Sequence, residues 1–171
     1  MKIKVKLFNH NCAFETIKKG DWIDLKASTT VSLESPYALP LSKGRDKRYV
    51  VFDSKMIPLG IGMQLPKGYE AVVNSRSSTF NTFGIVMQNG QGVIDHTYSG
   101  PNDQWHYPAI ALKEGQIIVE GDRICQFKIQ LSQKANIWQK IKWLFTSKIE
   151  FEFVDDYEGV NRGGLGSTGV K

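Results

Sequence analysis

Ile124-Cys125-Gln126-Phe127-Lys128-Ile129-Gln130-Leu131 alternates apolar with polar side chains from Cys125 onward. A chain with that period separates its two kinds of side chain cleanly only as a β-strand, because successive residues point to opposite faces. Alternating or β-branched runs recur at residues 3–7, 49–52, 69–73 and 117–120, bounded by Gly, Pro, Asn and Asp. Pro36, Pro40, Pro58, Pro66-Lys67-Gly68, Asn89-Gly90 and Ser99-Gly100-Pro101-Asn102 supply turn chemistry between them. Short strands at this spacing predict an all-β fold, a distorted β-barrel or jelly-roll. With 171 residues, 41% of them hydrophobic, the chain can bury one core, and a single domain is expected over residues 1–159.

One segment departs from the period of two. Within Ala135-Asn136-Ile137-Trp138-Gln139-Lys140-Ile141-Lys142-Trp143-Leu144-Phe145, the residues Ile137, Ile141, Leu144 and Phe145 fall at helical spacing, which predicts one short helix over about residues 135–146. Lys140 and Lys142 are expected outward. Two readings stay open, a helix capping the β core and a docking surface for a partner protein. Beyond Phe153 come Asp155-Asp156-Tyr157-Glu158-Gly159 and then Gly163-Gly164-Leu165-Gly166-Ser167-Thr168-Gly169, with almost nothing to bury. Residues 160–171 are therefore expected to form a mobile tail.

Lys and Arg number 22 against 17 Asp and Glu, a net charge of +5 that favours polyanionic ligands without specifying one. The opening Met1-Lys2-Ile3-Lys4-Val5-Lys6-Leu7 alternates charge with hydrophobe, and no run approaches the roughly 20 apolar residues of a membrane span, so a cytoplasmic protein with no membrane contact is expected. Cys12 and Cys125 form no CxxC pattern and are too few for a zinc site or a dense disulfide framework.

Four stretches carry chemistry. Arg162 with the glycines of 163–169, Ser167 and Thr168 can bring backbone N–H groups to phosphate oxygens or can simply be flexible; no Lys stands between these glycines and the hydroxyls, so it is not a Walker loop. Asn74-Ser75-Arg76-Ser77-Ser78-Thr79 follows a strand and reads either as a guanidinium with hydroxyls suited to phosphate or as a polar turn. Asn89-Gly90-Gln91-Gly92-Val93-Ile94-Asp95-His96-Thr97-Tyr98 reads as a hairpin turn feeding a strand that ends in a carboxylate, either a general base towards water or a turn cap. In Gly121-Asp122-Arg123-Ile124-Cys125-Gln126, Gln126 offers an amide donor and Asp122–Arg123 a structural ion pair.

In this order the pieces resemble the five motifs of the homotrimeric all-β dUTP pyrophosphatases, the dUTPases. Asp21-Trp22-Ile23-Asp24-Leu25-Lys26-Ala27 is similar to the first motif, and Pro66 to Val73 leads into the second, Arg76-Ser77-Ser78. Asn89, Gly92-Val93-Ile94-Asp95, Tyr98 and Gly100 match the third, Gly121 to Gln126 the fourth, and Gly163 to Gly169 the fifth. The Asp103-Gln104-Trp105 loop and the helical segment look like extras of phage and Gram-positive versions, which points to a phage-encoded origin.

The resemblance implies Mg²⁺-dependent hydrolysis of dUTP to dUMP and pyrophosphate, which keeps uracil out of DNA and supplies dUMP for thymidylate synthesis. Asp95 would be the general base for the attacking water, and Asp24 would reach Mg²⁺ through coordinated water. Arg76, Ser77, Ser78 and Gln126 would contact the phosphates. The backbone of Gly92, Val93 and Ile94 and the side chain of Asn89 would read the uracil edge, while Tyr98 under the sugar would exclude a 2′-hydroxyl. Arg162, Leu165, Gly166, Ser167 and Thr168 would close over a nucleotide at a neighbouring subunit interface of the trimer. The chain departs from the pattern at Leu165, where Phe is usual, at Val160, where the motif's Arg usually stands, at Thr97 in place of Asp and at Ser75 in place of Pro. A related dCTP deaminase would need a Glu downstream of the third motif, where Pro108-Ala109-Ile110-Ala111-Leu112 stands instead. A regulatory protein of the same fold, acting through the helix and the Trp105 loop, is the alternative from another class. A nucleic-acid-binding module is not expected, since Lys and Arg are scattered without a stacking-aromatic motif.

Overall fold

Alternation along the chain becomes strands wherever one face finds apolar neighbours. A computed structural model describes residues 1–15, 21–40, 48–114, 116–146 and 148–163. Along the chain run β1 (Lys2–Leu7), a 3-10 turn (His10–Cys12), β2 (Ile23–Lys26), β3 (Val31–Ser32), β4 (Tyr37–Pro40), β5 (Arg48–Val51), β6 (Ser54–Pro58), β7 (Ile61–Gln64) and β8 (Tyr69–Ser75). Then follow α1 (Thr79–Phe83), β9 (Ile85–Met87), β10 (Gly92–Asp95), β11 (His106–Ala111), β12 (Ile117–Ile118), β13 (Arg123–Leu131), α2 (Ile137–Phe145) and β14 (Glu150–Val154).

The larger sheets are β14-β1-β7, β10-β8-β13-β2 and β6-β11-β9, with the pairs β12-β3 and β4-β5 beside them. Among the described residues no sheet closes on itself, so of the two expected forms the jelly-roll type stands and the barrel does not. Two-residue ladders such as β3–β12 and the separate β4–β5 hairpin interrupt the hydrogen bonding that closure would need. Buried faces meet in one core, where Trp105, Tyr107 and Phe127 are fully buried. Phe127 meets Trp105, Phe14 and Phe151 edge-on at centroid distances of 5.5, 5.4 and 5.9 Å, a geometry favoured by the ring quadrupoles. Cys12 and Cys125 are both free and buried.

The helices correct the expectation of a single one. α1 occupies the end of the Arg76–Thr79 turn and stops at Gly84, whose φ of 63° no longer continues a right-handed helix. α2 lies within the predicted span, opened by a capping box between Asn136 and Gln139. Its orientation is the reverse of the capping reading: Ile137, Trp138, Ile141, Leu144 and Phe145 are 41–78% exposed. The body is met instead by Trp143, against Tyr69 at 5.7 Å, and by Gln139, which donates to the Lys67 carbonyl at 2.6 Å. Lys140 and Lys142 are exposed as expected.

Candidate active site

Asp95 ends β10, and its carboxylate caps the turn that follows. Oδ1 accepts from the Thr97 backbone N–H at 2.8 Å and from the Thr97 hydroxyl. The turn-cap and general-base readings thus describe one geometry, because the cap leaves the outer side of the carboxylate open. Arg162 lies there, its Nη1 3.2 Å from Oδ1, 3.4 Å from Oδ2 and 2.7 Å from the Thr97 hydroxyl. Burial pushes the Asp95 carboxyl up. The two Thr97 hydrogen bonds, then the charges of Arg162 and His96, outweigh that and hold it below the usual carboxylate range. Asp95 is therefore ionised, as a base must be, but it carries a guanidinium. A cavity of about 530 Å³ opens beside the pair, lined by Gln64, Leu65, His96, Thr97, Ser99 and Arg162 among others.

The stretch before β10 is not the two-stranded hairpin read from the sequence. β9 pairs with β11, whereas β10 pairs with β8, so Asn89-Gly90-Gln91 carries the chain from one sheet to another. Gly90 makes the change of direction with φ 67°. Asn89 and Val93 are exposed, Gly92 and Ile94 half-buried, and backbone and side chains are both presented on this arch. Tyr98 is half-buried and its hydroxyl donates to the Gln104 carbonyl at 2.7 Å.

A second cluster forms where β8, β13 and β2 lie side by side. Asp24, Gln126 and Asn74 are direct cross-strand partners and share one face. Asp24 accepts from Arg76 Nε at 2.9 Å and from Arg123 Nη1 at 3.3 Å. The ion pair expected between Asp122 and Arg123 is not formed; Asp122 accepts from the Val119 N–H at 2.8 Å instead. Gln126 Nε2 lies 3.4 Å from the Ser75 carbonyl, a long contact that leaves the amide largely available. Ser77 and Ser78 are exposed on the turn that follows Arg76.

Thr79, which sequence reasoning did not single out, ties that turn down. It is fully buried, and its hydroxyl accepts from the Arg76 N–H at 3.0 Å and donates to the Ile124 carbonyl at 2.8 Å. Thr79→Val keeps the shape but strands two backbone groups, and is expected to lower the unfolding free energy by about 1–3 kcal/mol. Urea titration measures this, and an unchanged midpoint would show that the hydroxyl ties nothing. Tyr107 was missed likewise: its hydroxyl meets the Ser75 hydroxyl at 2.7 Å, and burial pushes its pKa up to about 12.

Asp95 stands opposite Glu70, and Glu70 opposite Gln130, four residues along β13 from Gln126. Strand spacing and rise then separate Asp95 from Gln126 by about 16 Å along one side of the sheet. One chain does not bring its candidate base and its arginine–glutamine cluster onto one reacting atom. Among the described residues no group of three His, Cys, Asp or Glu side chains is placed to hold a metal ion. Asp24, with two of its roughly four acceptor positions taken by guanidinium groups, retains room for metal-bound water. Leu165, Gly166, Ser167 and Thr168 lie outside the described residues. No helix of the described chain is long and apolar enough to cross a membrane.

No protein-family model matches the chain. It is 37% identical, over the whole of both chains, to the SPbeta prophage-derived deoxyuridine 5'-triphosphate nucleotidohydrolase YosS of Bacillus subtilis. Among solved structures it resembles a dUTPase from Streptococcus mutans, with a TM-score of 0.63 at 17% identity over 78% of this chain and 98% of that one. It also resembles a dUTPase from phage phi11 of S. aureus, described with a structural Mg(II) ion, with a TM-score of 0.58 at 18% identity over 79% and 94%.

Proposed function

The chain belongs to the deoxyuridine 5'-triphosphate nucleotidohydrolase family, and on that premise we propose that it hydrolyses dUTP to dUMP and pyrophosphate at sites completed between copies of the chain. The observation that carries this reading is the ionised carboxylate of Asp95, capped by Thr97 and reached by the tail arginine, on the same side of one sheet as Asp24 and Gln126.

Asp95 orients a water molecule and takes its proton as the oxygen attacks the α-phosphorus; the α–β anhydride bond breaks and pyrophosphate leaves with the electron pair. Such a transfer depends chiefly on alignment and on stabilising charge. Arg76, Ser77, Ser78 and Gln126 bind the phosphate oxygens, with Asp24 aiming the Arg76 guanidinium through their 2.9 Å contact. Asp24 would reach a triphosphate-held Mg²⁺ through coordinated water, and the ion would supply charge neutralisation on the phosphates. The arch from Asn89 to Ile94 reads the uracil edge, and Tyr98 fills the place of a ribose 2′-hydroxyl. The roughly 16 Å between Asp95 and Gln126 within one chain supports assembly, and a homotrimer with three shared sites is the arrangement that the family resemblance implies. Residues 160–171 then close over the bound nucleotide, with Arg162, Leu165, Gly166, Ser167 and Thr168 facing it.

Pyrophosphate release from dUTP with Mg²⁺, with dCTP, dTTP and UTP run alongside and the products separated by chromatography, tests the reading. Conversion of dUTP alone to dUMP is expected. Production of dUTP or dUMP from dCTP would establish deamination in its place, and no turnover of any nucleotide by folded protein would end the hydrolase reading. The exposed apolar face of α2 supports a second role as a contact for a protein partner.

A further inference from the structure

Tyr107 lies in β11 and is fully buried, and its hydroxyl meets the Ser75 hydroxyl at 2.7 Å. The contact joins two sheets, because β11 stands between β6 and β9 whereas Ser75 ends β8, which stands between β10 and β13. A phenol carried to that depth gives up its water, and a hydrogen bond is needed to offset the loss. Burial pushes its pKa up to about 12, so it stays a neutral hydroxyl. Ser75 is half-buried and immediately precedes Arg76. Strand alternation turns its side chain to the face opposite Asn74 and Gln126, so the contact is made from behind the phosphate-binding cluster without touching it. On the other side the Ser75 carbonyl is the group that Gln126 Nε2 approaches at 3.4 Å. Beyond it, Arg76 N–H donates to the Thr79 hydroxyl at 3.0 Å and Thr79 N–H to the Arg76 carbonyl at 3.1 Å, while the guanidinium meets Asp24 at 2.9 Å and the Arg123 carbonyl at 3.2 Å. Those ties stay within the turn and the sheet that carries it; the Tyr107 hydroxyl comes from another sheet.

We propose that Tyr107 and Ser75 are a pair of positioning residues for dUTP hydrolysis, bolting the exit of β8 from behind so that Arg76 and the Ser77-Ser78 turn leave the strand in one direction, towards the phosphates. The inference rests on the proposed hydrolysis. It adds Tyr107, a residue outside the five motifs, and a role for Ser75, at which the chain departs from the second. A serine leaves φ free where a proline would fix it. The hydroxyl bond to a buried ring supplies a constraint from the side instead. Because Arg76, Ser77 and Ser78 are consecutive, a small rotation at the strand exit moves all three together, and misplacement by about an ångström can cost roughly a hundredfold in rate.

The test compares wild type with Tyr107→Phe, Ser75→Ala, the double variant and Ser75→Thr. Tyr107→Phe and Ser75→Ala should each lower kcat/KM for dUTP roughly tenfold, and the double variant should lose no more than about twofold beyond either, since both remove the same contact. Ser75→Thr keeps a hydroxyl and should stay within about threefold of wild type. Stability separates positioning from a purely structural role. Ser75→Ala strands a fully buried phenol and should lower the melting temperature more than Tyr107→Phe, which leaves a half-buried serine hydroxyl within reach of water. Equal kinetic losses from unequal stabilities are therefore expected. Losses that follow the melting temperature, that add in the double variant or that are as large in Ser75→Thr as in Ser75→Ala would overturn the proposal, as would unchanged kinetics. One readout needs no activity: the Arg76 and Thr79 amides should exchange with solvent at least about tenfold faster in Tyr107→Phe than in wild type. Unchanged exchange would overturn the bolt while leaving hydrolysis intact. A wild-type protein inactive on dUTP whose variants nonetheless show this faster exchange would overturn the hydrolase reading and leave the bolt.

Discussion

Replacing Asp95 with Asn is expected to lower kcat for dUTP hydrolysis by roughly 10²–10⁴-fold with little change in KM. The substitution keeps the size of the side chain and an oxygen to accept from Thr97, so the turn and the arch at Asn89–Ile94 survive. What disappears is the carboxylate proposed to take the proton. Near wild-type turnover would show that another group is the base. The same variant tests the composition of the site: mixed after dissociation with Arg76→Ala, it should recover activity that neither has alone, because some shared sites then pair an intact Asp95 with an intact Arg76. No recovery from reassembled mixtures would mean that each chain builds its own site. The sign of the pH dependence follows from the lowered carboxyl. Stability from the Asp95–Arg162 pairing is present above the ordinary carboxylate range and is lost as pH falls through the depressed folded value. With side chains 42% and 36% exposed, that contribution is screened by salt.

Truncation after Gly159 is expected to reduce kcat/KM at least about a hundredfold while leaving the melting temperature within a few degrees. On the proposed mechanism, loss of an arginine and of the hydroxyls beyond it removes charge stabilisation where phosphoryl transfer most needs it. The core loses little, because its last buried member among the described residues is Tyr157 and Val160 is 88% exposed. Truncation also frees Asp95 of its guanidinium, so the acid limb of the residual pH–rate profile should move upward towards the usual carboxylate range. A fully active truncated protein would remove the tail from the mechanism. A collapse of the melting temperature would mean that residues 160–163 hold the core as well.

Much of the candidate site is legible in the sequence because it rests on local chemistry. Asp95 stood out as a carboxylate at the end of an apolar run that follows glycines, and the structure places it on such a turn. Arg76, Ser77 and Ser78 stood out at a strand exit, where β8 indeed ends. Thr79 and Tyr107 gave no such signal, since a Thr beside two Ser reads as a turn residue and a Tyr before Pro-Ala-Ile as core. Their importance lies in partners 45 and 32 positions away, Ile124 and Ser75.

By itself the sequence determined that the fold is mostly strands, several of the strands themselves, a helix within residues 135–146 and the identity of the residues with chemistry to offer, because period and side-chain type are properties of neighbours along the chain. Only the tertiary structure decided that no sheet closes, that β9 and β10 part into different sheets, and that α2 packs through Gln139 and Trp143 while its apolar stripe faces out. It alone paired Arg76 with Asp24 and Arg162 with Asp95. A hydrophobic period specifies that a face exists, whereas which face is covered, and which charge meets which, depends on what distant segments bring alongside it.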